Sequence, residues 1–149
     1  MNILVSACLL GICCRYDGKC KPSPQVVALK KEHNLIPVCP ECYGGLPIPR
    51  EPSEIRGEKV FSKNGKDVTE QYQRGAQAAL QLAKLFDCKL AVLKEKSPSC
   101  GSGKIHNGLF DGGLIDGDGI TAALLKENGI TVIGESSISA FFSPHQQSD

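Results

Sequence analysis

Tryptophan is absent from this chain, and aromatic side chains make up only 5% of its 149 residues. That scarcity argues against a stacking platform for single-stranded nucleic acid. Neither sign of charge is in excess: 17 Lys and Arg stand against 16 Asp and Glu, for a formal net charge of +1. No basic stripe offers itself to a phosphate backbone and no acidic run forms a tail, so no nucleic-acid polymer is expected as a partner. No apolar run approaches the ~20 residues needed to cross a bilayer, so no membrane is expected either. The opening Met1-Asn2-Ile3-Leu4-Val5 has no basic leader and reads as a strand rather than a signal peptide. These absences point to a cytoplasmic protein.

What the chain does have is cysteine, eight in all. In a reducing compartment thiols stay free, which disfavours a disulfide framework and leaves metal binding or thiol chemistry. The competing reading for any one of them is a small core residue, since free Cys is among the most buried types.

Apolar patterning lays out the rest. Residues 2–7 form a continuous apolar run, as a strand covered on both faces would. Ser23 before Pro24 resembles the start of a short helix that ends near residue 33. Residues 35–38 make a second strand, and Pro37 places it at an edge or an end. Residues 43–68 read as an excursion from the core, with a small hairpin turning at Asn64-Gly65. Asp67 and Glu70 have capping-box spacing for a helix over residues 68–86, in which Tyr72, Ala76, Ala79, Leu80 and Ala83 share one face. A third strand spans 90–93. A hairpin at Asn107-Gly108, a helix over 120–128 capped by Asp118, and a fourth strand over 130–133 follow. This order predicts one α/β domain, residues 1–138, with a Rossmann-like, mainly parallel sheet and helices on both faces. Residues 139–149 are expected to be a C-terminal tail, where Phe141 and Phe142 can dock.

The stretch Lys96-Ser97-Pro98-Ser99-Cys100-Gly101-Ser102-Gly103 follows the third strand. It gathers hydroxyls, a thiol and glycines that a core does not need. Cys8 lies just past the first strand, Cys39 just past the second, and Cys100 past the third. In an open parallel sheet those ends share one edge, where ligands bind at a strand-order switch, so three thiols distant in sequence should meet. Several chemistries fit such a meeting. Cys39-Pro40-Glu41-Cys42 has the C-x-x-C spacing of a redox pair, although it opens no obvious helix. Cys8, Cys39, Cys42 and Cys100 can supply the four ligands of a zinc site. Gly101-Ser102-Gly103 is an incomplete phosphate cradle. Arg50 and Arg56 are expected to be solvated or ion-paired, His106 to be ordinary, and Glu135 stays unassigned.

The ordered motifs resemble the thiouracil desulfidase (TudS) family. They are Val5-Ser6-Ala7-Cys8-Leu9-Leu10-Gly11, Cys14-Arg15-Tyr16-Asp17-Gly18, Pro37-Val38-Cys39-Pro40-Glu41 with Gly44-Gly45-Leu46 and Pro49-Arg50, Lys96-Ser97-Pro98-Ser99-Cys100-Gly101, and Gly117-Asp118-Gly119-Ile120-Thr121-Ala122-Ala123-Leu124-Leu125. The resemblance spans about residues 2–135. It implies a [4Fe-4S] cluster held by Cys8, Cys39 and Cys100 with one iron open to substrate. It also implies catalytic assistance from Glu41 and from a serine of the Ser97–Ser99 motif. The implied reaction removes sulfur from a small thiolated nucleobase such as 2-thiouracil, giving the oxo base and hydrogen sulfide without net redox change. Cys42 departs from the pattern, since a fourth thiolate would close the open iron. A non-catalytic zinc or fully ligated cluster domain, and a Cys39/Cys42 oxidoreductase, are the alternatives.

Overall fold

A computed structural model of the chain describes residues 1–142. Strand β1 (Asn2–Ser6) passes into a single 3-10 turn, Ala7–Leu10. Helix α1 (Pro24–Ala28) continues as a 3-10 turn, Leu29–Lys31, before β2 (Asn34–Val38). One turn of helix, α2 (Pro40–Tyr43), follows, then the antiparallel hairpin of β3 (Ser53–Arg56) and β4 (Lys59–Ser62). Helix α3 (Thr69–Leu85) leads to β5 (Leu90–Leu93). A second hairpin, β6 (Lys104–His106) and β7 (Leu114–Asp116), precedes α4 (Ile120–Glu127), β8 (Thr131–Gly134) and α5 (Ile138–Phe141).

The central sheet has the order β2-β1-β5-β8 and every pair is parallel. Pro37 sits in β2, the edge strand, where its missing N–H costs no ladder bond to a further strand. Period-two alternation divides the strand side chains between two cores. Leu4, Val38, Ala91, Leu93 and Val132 pack with Ala79, Leu80 and Ala83 of α3 and with Ala122 and Leu125 of α4. Ile3, Val5, Leu90 and Val92 pack with Val26 of α1 and Ile138 of α5. Helices therefore cover both faces, and each fully buried Leu, Ile or Val contributes roughly 1.5–3 kcal/mol.

The alanine face of α3 lets it lie close to the sheet, and a glycine pair brings α2 closer still. A Cβ on Gly75 of α3 would stand 1.9 Å from the Pro40 carbonyl oxygen, and one on Gly44 would stand 1.9 Å from the Gln71 carbonyl oxygen. Backbone thus meets backbone on both sides, and α2 is seated on α3.

Several local expectations change. The capping box does not form: Val68 is the N-cap residue, while Asp67 Oδ1 accepts the Thr69 N–H at 2.9 Å. Asp118 does not cap α4; its Oδ1 accepts from the Gly103 N–H at 2.8 Å and from Lys126 Nζ at 2.9 Å. The expected turn at Asn64-Gly65 forms, folding the chain back so that Phe61 and Asp67 bridge antiparallel and the Gly65 N–H donates to the Ser62 carbonyl; the β3–β4 hairpin, turning at Gly57, precedes it and was not expected. The second hairpin keeps its expected first arm at Ile105-His106, but its return strand is Leu114–Asp116 rather than Leu109-Phe110, and a seven-residue loop, 107–113, replaces the tight Asn-Gly turn. Cys39 does open a helix, with Pro40 at its first position. Cys13 and Cys20 form a disulfide, so not every thiol stays free. Helix α5 crosses the expected boundary at residue 138, and Phe141 and Phe142 pack against the α1-side core. The rest of the expected tail lies outside the described residues.

Candidate active site

Strand β1 lies between β2 and β5, so the chain leaves the carboxyl edge in opposite directions from β1 and β5. That is the switch point at which open α/β sheets bind ligands. Cys8 sits in the 3-10 turn after β1, Cys39 is the N-cap of α2 after β2, and Cys100 lies in the loop after β5. All three line one cavity of about 480 Å³, together with Glu41 and Ser97.

The loop that carries Cys100 is pinned from below by α4. The N–H groups of Gly119, Ile120 and Thr121 donate to the carbonyls of Gly101, Pro98 and Ser99 at 2.7, 2.8 and 2.8 Å. The first turn of a helix has free N–H groups to offer, which ties the Gly117-Asp118-Gly119 motif to the cysteine loop. Within the loop, Ser97 Oγ accepts the Cys100 N–H at 2.7 Å. Ser99 takes a different direction. It is fully buried, its hydroxyl pairs with that of Thr121 at 2.8 Å, and it does not line the cavity.

Burial governs the thiols. It pushes the Cys100 thiol up to about 12, against a hydrogen bond from Ser6, and the Cys8 thiol up to about 11. Cys39 moves the other way. The Cys14 thiol donating to its sulfur is the largest cause, helped by the Cys42 N–H and thiol and by the charge of Arg50. Cys14 lines the cavity, whereas Cys42 does not; its sulfur lies 4.0 Å from the Cys14 carbonyl oxygen and 3.9 Å from an Arg50 nitrogen. Cys88 is a core residue beside α3 and β5.

These donors suit an iron–sulfur cluster. Desolvated thiols give up their protons when a bound cation replaces the lost hydration, and soft thiolates are the preferred ligands of such clusters. Among the described residues no group of three or more His, Cys, Asp or Glu side chains is gathered closely enough to hold a single metal ion. A cluster places each thiolate on a different iron, which suits three ligands drawn from three strand ends.

Glu41 lies in the first turn of α2, and it is not a solvated loop carboxylate. Its Oε1 accepts from Arg50 Nε at 2.9 Å, with only 16% and 7% of the two side chains exposed. Arg50 also donates to the carbonyls of Cys14 at 2.9 Å and Pro47 at 3.1 Å. One guanidinium therefore joins the Cys14 loop, the chain after α2 and the carboxylate. Tyr72 of α3 completes the set. It is buried, it hydrogen-bonds with Glu41 and Ser53, and burial is the first cause of its raised pKa. Reading Tyr72 as a helix-face residue finds its burial and misses its hydroxyl. Arg56 is also engaged, donating to the Gly108 carbonyl at 2.7 Å.

Glu135 closes the neighbouring strand ends. Its Oε2 meets Lys94 Nζ at 2.7 Å, and its Oε1 accepts the Glu95 N–H at 2.8 Å. The hairpins add Glu54, Lys63, His106 and Phe110 to the cavity lining. Of these, His106 and Phe110 flank the Asn107-Gly108 signal and Lys63 the Asn64-Gly65 signal, while Glu54 carried none.

Fold and site together define a doubly wound α/β protein with free thiols gathered around a cavity at its switch point. The family model described as 2-thiouracil desulfurase matches residues 3–137, and the chain belongs to that family. It is 46% identical over 146 positions to the uncharacterized protein YbbK of Bacillus subtilis (strain 168), covering 91% of this chain and 97% of that one. It is also similar to a solved structure of the [4Fe-4S]-dependent thiouracil desulfidase TudS, with 48% identity, a TM-score of 0.88 and coverage of 93% of each chain. No described helix is long and apolar enough to cross a membrane.

Proposed function

We propose that this protein is a [4Fe-4S]-dependent desulfidase that converts a free thiolated pyrimidine, such as 2-thiouracil, and water to the oxo base and hydrogen sulfide. The observation that carries the reading is the meeting of Cys8, Cys39 and Cys100 around one cavity that also holds Glu41 and Ser97. Those three thiols are the ligands. When bound, the cluster offers an iron without a protein ligand, a Lewis acid for a soft thiocarbonyl sulfur.

The chain's own groups handle the water and its protons. Glu41, held by Arg50, takes a proton from the water that attacks the thiocarbonyl carbon. Tyr72 keeps the carboxylate oriented from within the core. Ser97 accepts the Cys100 N–H through its oxygen, which leaves its own proton free to donate into the cavity. Ser99, paired with Thr121, supports the loop. Cys42 lies outside the lining, in keeping with a site that leaves one position for substrate and against a Cys39/Cys42 redox pair at the cavity. A cytoplasmic location suits the six free thiols, and the Cys13–Cys20 disulfide lies outside the cavity lining.

Anaerobic purification and reconstitution test the assignment. The parent protein should be brown and release sulfide from 2-thiouracil. Cys100→Ala should lose the cluster. Glu41→Gln should keep the cluster and lose ~10²–10⁴ in turnover, the usual worth of a general base. Parent-rate turnover by Glu41→Gln, or colourless protein with stoichiometric zinc after anaerobic handling, would overturn it.

A further inference from the structure

The second hairpin places two residues on the cavity that the chemistry above leaves unused. His106, the last residue of β6, lines the cavity, and its Nδ1 is buried without a hydrogen-bond partner. It is the one buried side-chain nitrogen or oxygen in that condition among the described residues. Buried polar atoms are normally paired, so a lone one on a residue that lines a ligand cavity points to a partner that arrives with the ligand.

Phe110 also lines the cavity, with its backbone in the left-handed region at φ 56°. A bulky side chain rarely adopts that conformation, and such residues persist only where the surroundings impose them. The first hairpin does so here. Glu54 of β3 is buried, and its Oε1 accepts the N–H groups of Gly108 at 2.9 Å and Phe110 at 3.1 Å. Arg56 of the same strand donates to the Gly108 carbonyl at 2.7 Å, and its guanidinium carbon lies 6.0 Å from the Phe110 ring centroid. A buried carboxylate and an arginine thus fix the course of a loop that sets Phe110 on the cavity wall beside His106 at the end of β6.

A thiolated pyrimidine asks for that pair. Its faces are flat and apolar, and its edge alternates N–H and carbonyl groups. We propose that His106 and Phe110 form the wall that recognises the substrate's heterocycle. Nδ1 hydrogen-bonds the polar edge, and the Phe110 ring packs on the face. This assignment rests on the desulfidase reading. It makes the two residues determinants of affinity rather than of the chemical step.

The test compares cluster-loaded parent and variant enzymes on 2-thiouracil, with uracil binding measured separately by calorimetry. His106→Leu should raise KM about tenfold and leave kcat within about twofold, the pattern of lost uniform binding. Uracil affinity should fall in parallel, and cluster absorbance should not change. His106→Asn keeps an amide near the Nδ1 position and should recover most of the affinity. Phe110→Ala should raise KM without touching kcat. If His106→Leu misfolds, His106→Gln, whose amide reaches past that position, takes its place as the variant expected to lose affinity. Parent KM and parent uracil affinity in the His106 variant overturn the proposal, as does a loss confined to kcat. A loaded parent that releases no sulfide from 2-thiouracil overturns the desulfidase reading instead.

Discussion

The sheet edge brings Cys8, Cys39 and Cys100 to the cavity from three adjacent strand ends, whereas the two hairpins, each a sheet of its own, bring Glu54, His106 and Phe110. On the edge side the backbone sets position: parallel pairing fixes the strand ends, and helices α2 and α4 are locked to their neighbours by backbone contacts. On the hairpin side, side chains set position, through Glu54 and Arg56 reaching across 52 to 56 residues of sequence. On the proposed function a cluster ligand tolerates little displacement, while the proposed recognition wall can vary with the ligand. The difference in construction matches that difference in demand.

The sharpest way to break this contrast is to push on the edge side where it has no slack. Gly75→Ala would drive a Cβ to 1.9 Å from the Pro40 carbonyl oxygen, so α2 must move off α3 and carry Cys39 and Glu41 with it. Overpacking against backbone of this kind should cost ~3 kcal/mol and lower iron content per chain. Urea unfolding and iron analysis read both. A variant with the parent midpoint and full iron would mean that the glycine contact does not position the site.

The same division explains how much was legible in the sequence. Apolar runs mark β1, β2, β5 and β8, and the rule that parallel strands share a carboxyl edge brings Cys8, Cys39 and Cys100 together before any coordinates. The 3.6-residue repeat of Tyr72, Ala76, Ala79 and Ala83 yields α3 to within one residue at each end. The hairpin side has no such rule. Strand β3 follows Pro47, Pro49 and Pro52, which hide it, and its choice of β4 as partner is set by packing against Val68 and Tyr72. The pairing of Cys13 with Cys20 was equally hidden, because the expectation of free thiols came from compartment and not from proximity. The role of Arg50 depends on the Pro47–Arg50 segment folding back to α2 and the Cys14 loop, which no local pattern announces.

Ser97 and Ser99 put the contrast inside one motif. The sequence offers both, and the course of the backbone separates them. Ser99→Ala leaves the buried Thr121 hydroxyl without its partner and should cost ~2 kcal/mol, within the range for an orphaned buried group, with kcat unchanged. Ser97→Ala takes the acceptor from the Cys100 N–H, so it should cost ~1 kcal/mol and, unlike Ser99→Ala, bring a clear fall in kcat. Steady-state rates beside denaturant melts decide the matter; a fall in kcat from Ser99→Ala alone would reassign the motif's hydroxyl.

The smallest effect belongs to the turn of the first hairpin. Gly57 has φ +64° and nothing within 4 Å of where a Cβ would sit, so Gly57→Ala meets no atom and carries only the left-handed backbone penalty, roughly 1 kcal/mol. Glu54 and Arg56 keep their bonds to the 107–113 loop, so KM for 2-thiouracil should stay at the parent value while the unfolding midpoint falls slightly. A raised KM here would show that the recognition wall depends on the hairpin's end as well as on its two clamping side chains. The two sides of the cavity would then be equally rigid.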